Sequence, residues 1–95
     1  MYMKIHRSPG CEEVLGACDC ELLNTTLSED KIEIEISDKF YGNKKVTEEE
    51  FEEALKKATN ANLIGKRVIA AAVRCGITDY DCCIYIKDIP HVQIL

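Results

Sequence analysis

Lys31-Ile32-Glu33-Ile34-Glu35-Ile36-Ser37 alternates without a break. In an extended chain the three isoleucines fall on one face, and Glu33 and Glu35 on the other. The stretch predicts a strand with one buried face and one face that is at least partly wet. A slip of one residue would expose all three isoleucines, so the pattern also fixes the register. Parallel strands covered on both faces read as continuous apolar runs instead. The alternation therefore points to a mainly antiparallel sheet.

Upstream, Tyr2 to Arg7 reads as a strand, Ser8-Pro9-Gly10 as a turn, and Glu12 to Cys18 as the return strand of a hairpin. Gly16 weakens that return strand and marks a bulge. Asp19 is expected to cap one helical turn through Cys20-Glu21-Leu22-Leu23, and Asn24 to Asp30 reads as a loop. Downstream, Phe40-Tyr41-Gly42-Asn43 forms an aromatic turn. Thr47 then opens the clearest helix. Thr47 and Glu50 have capping-box spacing, and Glu48, Glu49 and Glu50 sit at its positive end, with Lys56 and Lys57 at the negative end. Phe51, Ala54, Leu55 and Ala58 supply its apolar stripe.

Thr59-Asn60-Ala61-Asn62 reads as a break, followed by a second helix from about Leu63 or Gly65 to Cys75. Ile64, Val68, Ala71, Ala72 and Cys75 share its buried face, and Gly76 is the expected left-handed stop. Cys82 to Lys87 reads as a strand, and Ile89 to Leu95 as a final strand with Pro90 favouring an edge. Strands grouped on either side of a helix pair predict an α+β fold: a two-layer sandwich with two helices on one face of a mainly antiparallel sheet.

At 95 residues the chain holds a single domain, 1–95, with one modest core. A net charge of −5 argues against a protein coated in basic residues to grip nucleic acid. The first seven residues lack the apolar stretch of a secretory signal, and no run approaches the ~20 apolar residues needed to span a bilayer. A soluble, cytosolic protein is expected. Six cysteines in such a compartment do not imply disulfides. Cys18 and Cys20 form a C-x-C, Cys82 and Cys83 are adjacent, and neither pair has zinc-knuckle spacing. Cys82, in phase with Ile84 and Ile86, reads as a core residue, as does Cys75. The sequence calls for no cofactor.

Two polar segments stand out. Asn60, Asn62, Lys66 and Arg67 combine amides and cations at an expected helix start, where free N–H groups bind anions. His91 and Gln93 share a phase on the last strand. Imidazole suits acid–base work near neutrality, but no nucleophile stands beside His91 by motif. Phe40 and Tyr41, near Lys39, Lys44 and Lys45, offer aromatic surface for stacking or, more simply, a loop anchor. His6 reads as an exposed strand residue without a role.

Asn60-Ala61-Asn62-Leu63-Ile64-Gly65 together with Ile89-Pro90-His91-Val92-Gln93 resembles an archaeal family known as domain of unknown function 424. Cys20-Glu21-Leu22-Leu23, Phe40-Tyr41-Gly42 and Glu48-Glu49-Glu50 resemble it too. The resemblance implies a small archaeal cytosolic protein with a two-layer α+β fold. It implies no established activity, so it transfers no catalytic residue.

The favoured expectation is a non-enzymatic binding module for RNA or the translation machinery, with an RNA or protein partner and no membrane. Its candidate residues are Asn60, Asn62, Lys66, Arg67, His91 and Gln93, and the idea requires His91 to lie close to Asn60 and Asn62. One alternative is a small-ligand binder or enzyme using His91 as acid–base. Another is a thiol metal or redox site at Cys18 and Cys20.

Overall fold

Residues 1–7 and 13–94 are described by the computed structural model. The expected Ser8-Pro9-Gly10 turn, Cys11 and Glu12 lie outside them. Strands β1 (Tyr2–His6) and β2 (Val14–Cys18) pair antiparallel as the opening hairpin. Next come β3 (Thr25–Glu29) and β4 (Ile32–Ile36), the one-turn helix α1 (Asp38–Tyr41) and α2 (Glu48–Lys57). Strand β5 (Asn60–Ile64), helix α3 (Lys66–Arg74), β6 (Ile84–Ile86) and β7 (Ile89–Ile94) complete the fold. Five strands form one sheet in the order β1-β2-β5-β7-β6, and β3 and β4 form a separate hairpin. Within the larger sheet only β2 and β5 run parallel. The architecture is α+β, as expected.

One face of the sheet carries the helices. Leu15, Ala17, Ala61, Leu63 and Val92 meet Phe51 and Leu55 of α2 and Val68, Ile69, Ala71 and Ala72 of α3. The α2 capping box is complete: Thr47 Oγ1 accepts from the Glu50 N–H, and Glu50 Oε1 accepts from the Thr47 N–H. The Thr47 backbone N–H, and then the Thr47 side chain, hold the Glu50 carboxyl below its ordinary range. Gly76 ends α3 in a left-handed conformation, with its N–H on Val73 O and that of Ile77 on Ala72 O.

Several expectations are corrected. Asn60–Ile64 is the central strand and not a helix break, so the second helix begins at Lys66. Residues 25–29 are a strand and not a loop. The isoleucine strand belongs to the separate hairpin, where burial is graded: Ile36 is buried, Ile34 half-buried and Ile32 exposed. Gly16 sits in regular register without a bulge. Cys82 is exposed in a 3₁₀ turn at Tyr80–Cys82, ahead of β6, because the Asp79 side chain caps that turn.

The largest departure concerns Asp19. Its side chain does not cap the short 3₁₀ turn that follows it at Cys20–Leu22. It is buried, and its carboxylate accepts from the N–H groups of Arg67 (3.0 Å) and Val68 (2.9 Å) at the start of α3. Its own N–H donates to Ile64 O at 3.2 Å. A desolvated carboxylate is tolerable there because it faces orphan helix N–H groups and the positive end of the dipole. Gly65, with φ 120° and ψ 150°, occupies a region essentially reserved for glycine. A Cβ at this position would fall inside the Asp19 carboxylate.

Replacing Asp19 with Ala should cost about 2 kcal/mol or more in denaturant unfolding, since two buried N–H groups lose a charged acceptor. Gly65→Ala should cost at least as much, through strain and collision together. Equal midpoints for wild type and both variants would show that this clamp is dispensable.

Candidate functional site

The face of the sheet away from α2 and α3 is covered unevenly. At one end, Ile34 and Ile36 of the hairpin pack with Cys18, Leu22, Tyr41, Ile64 and Ile89. In the middle, α1 lies over the strands. Phe40 rests on Gly16 so closely that a Cβ there would sit 2.8 Å from Phe40 O and 2.9 Å from the ring. That close approach is the reason for a glycine in mid-strand. At the other end, Asn60, Asn62 and Gln93 join Val14 and Phe40 around an open depression of about 230 Å³.

Strand register arranges this surface. Lys4 lies opposite Gly16, Gly16 opposite Asn62, and Asn62 opposite Gln93, forming one row across four strands. Asn62 Oδ1 accepts from the Tyr41 hydroxyl at 3.2 Å and lies 2.8 Å from His91 Nε2. An Nε2–H tautomer makes the second contact a donation as well. Burial pushes the Tyr41 hydroxyl up to about 12, which keeps it protonated as a donor. Burial also lowers the pKa of His91, so its ring is neutral at neutral pH.

The expected residues are thus partly assembled. His91 and Asn62 are hydrogen-bonded, and Asn60 and Gln93 share the depression with Asn62. Lys66 and Arg67 remain exposed at the start of α3. The helix terminus beside them is filled by Asp19, which occupies the position where the sequence suggested an external anion. Phe40 and Tyr41 were foreseen as a stacking surface or, more simply, a loop anchor. Tyr41 is buried, and Phe40 stacks on His6 with centroids 4.8 Å apart. His6 itself contacts Phe40 O at 2.7 Å, so it has a structural partner. Glycine 16 was the signal for this approach, since mid-strand glycines mark sites where another group comes close.

On the β1 side of α1 lies a basic groove of about 420 Å³ bearing Lys4, Lys39 and Lys44, with Asp38 its one acid. Lys4 Nζ donates to Lys39 O at 3.1 Å. The first part of the outer edge of β1 is closed by bonds from Met3 N to Lys44 O and from Val46 N to Met1 O. Lysines are therefore not required there to shield an open strand edge.

The thiols offer little chemistry by comparison. Burial, then the neighbouring Asp19 charge, pushes Cys18 up to about 12, far from thiolate reactivity. Among the described residues, no three His, Cys, Asp or Glu side chains are grouped to hold a metal ion. No helix among them is long and apolar enough to cross a membrane.

Comparison with known proteins places this architecture. The profile of a family described as "Protein of unknown function (DUF424)" matches residues 6–95. The chain belongs to this family. Its fold is also similar to the crystal structure of an uncharacterized conserved protein from Methanopyrus kandleri, with a TM-score of 0.79 and 25% identity. That similarity covers 98% of this chain and 88% of the other. A search of curated proteins finds no match. Neither the DUF424 description nor the Methanopyrus kandleri protein carries an assigned activity.

In this DUF424 chain, burial of neutral His91 has a pH consequence. The unfolded ring has an ordinary pKa of about 6.5, and the folded value is lower. Its contribution to stability is therefore present above about pH 6.5 and lost as the pH falls through the folded value. An NMR titration of the His91 ring should give a midpoint below 6.5. A midpoint at or above it would contradict the packing described.

Proposed function

We propose that this protein is a non-enzymatic module that binds single-stranded RNA across the open end of the second sheet face. One observation carries the reading: a basic groove bearing Lys4, Lys39 and Lys44 and an amide-lined depression at Asn60, Asn62 and Gln93 flank α1 on the same sheet face. Lysines neutralise phosphates, while amides and an aromatic wall suit unpaired bases. The acidic net charge does not oppose this locally, because Glu48, Glu49 and Glu50 are at the start of α2 and Glu33 and Glu35 are on the hairpin. The bonds described around His91 join it to an amide, not to a nucleophile or carboxylate, which favours binding over catalysis. Asn60, Asn62 and Gln93 are the binding residues in this reading, with His91 and Tyr41 positioning Asn62.

Cytoplasmic work in an archaeal cell fits the same picture. All five described cysteines are free, as in a reducing compartment, and the Methanopyrus kandleri protein shares the fold.

Labelled single-stranded RNA should bind with an affinity that falls as salt rises. Replacing Lys4, Lys39 and Lys44 together with Ala should weaken binding and reduce the log–log salt slope by about 2, at roughly 0.7 per phosphate contact. Retention of the wild-type slope in the triple variant, or no binding by the wild type, would refute the reading.

A further inference from the structure

We infer that the depression beside Phe40 receives one unpaired nucleobase through an acceptor on its edge, with the Asn62 amide held as a fixed hydrogen-bond donor. The inference rests on the RNA reading above and names what the depression selects. Its basis is the orientation of one amide. Asn and Gln side chains ordinarily present either end to a ligand. Here the Asn62 oxygen is engaged by the Tyr41 hydroxyl at 3.2 Å and by His91 Nε2 at 2.8 Å. With His91 as the Nε2–H tautomer, two donors fill an oxygen that has two lone pairs. Both partners are packed in place, Tyr41 by the hairpin cluster and His91 by strand pairing on both sides, with Ile64 and Ile84. The NH₂ end of Asn62 is then the group offered to a ligand in the depression, and it can only donate.

The remaining walls agree with a flat heterocycle. Phe40 provides an aromatic side and Val14 an apolar one, and Gln93 supplies a rotatable amide at the rim opposite Asn62. Uracil, cytosine and guanine each carry a carbonyl for the fixed donor, and adenine carries ring nitrogens that accept equally, so the donor reads an acceptor on the base edge and not one base. On the other side of α1, Lys4 in the basic groove is available for a phosphate of the same strand.

The test uses the whole chain and three probes of equal length and phosphate number: oligouridine, oligoadenosine and an abasic strand. Oligouridine and oligoadenosine should each bind about tenfold more tightly than the abasic strand, the scale of one well-placed base. Asn62→Asp keeps an acceptor for Tyr41 and His91 but removes the donor. It should erase the uridine margin, and comparison with abasic binding by the same variant cancels its added charge. Abasic binding equal to oligouridine would overturn the base site while leaving the RNA reading intact. A uridine margin over the abasic strand that survives Asn62→Asp would overturn the donor assignment. Failure of all three probes to bind would overturn the RNA reading itself. The wild-type comparison needs no variant, so a poorly folded substitution cannot leave the question open.

Discussion

The carboxylate of Asp19 ties together parts of the chain that no local turn can align. It ends β2, bonds through its own N–H to the end of β5, and caps α3 through both oxygens. Strands β2 and β5 are parallel neighbours far apart in sequence, so no tight hairpin sets their relative height. The cap does so instead, with Gly65 leaving room for it. A slip of β5 by one residue would turn Asn60 and Asn62 into the helix-packed core and push Ala61 and Leu63 out. The cost of burying two amides without partners opposes that slip. The position of Asn62 on the open face is thus a consequence of a contact at the other end of the strand.

From that register follows a division of labour between the two sheet faces. The helix face is closed and apolar, and the small residues Ala61, Ala71 and Ala72 allow close packing. The second face changes along its length, from the apolar cluster around Ile36 and Ile64 to the amides around the depression. Tyr41 stands at that boundary, with its ring in the cluster and its hydroxyl on Asn62. A side chain with an apolar body and a polar tip suits such a seam. The packed end therefore sets the geometry of the open end.

Local signals in the sequence were legible. Thr47 and Glu50 announced the capping box, Gly76 the helix stop, and Tyr2 to Arg7 the first strand. The two polar segments were expected to meet, and the structure brings His91 to hydrogen-bond distance of Asn62. The central strand was misread because asparagine favours caps and turns, and here it outweighed the alternation of Asn60, Ala61, Asn62 and Leu63. The true partner of Asp19 lies 48 residues away, so no neighbouring motif could reveal it. Thr25–Glu29 looked like a loop because its strand character depends on Ile32–Ile36 lying opposite. Cys82 looked like core because its phase with Ile86 was read through a turn that Asp79 imposes.

The account makes the open end of one sheet face the working surface. Amide chemical-shift mapping of the isotope-labelled protein with single-stranded RNA examines this most directly. Perturbed signals should gather at Phe40, Asn60, Asn62 and Gln93 and continue along Lys4, Lys39 and Lys44, with α2 and the exposed side of α3 unchanged. Perturbations concentrated on α2 and α3, with Asn62 and Gln93 unmoved, would contradict it.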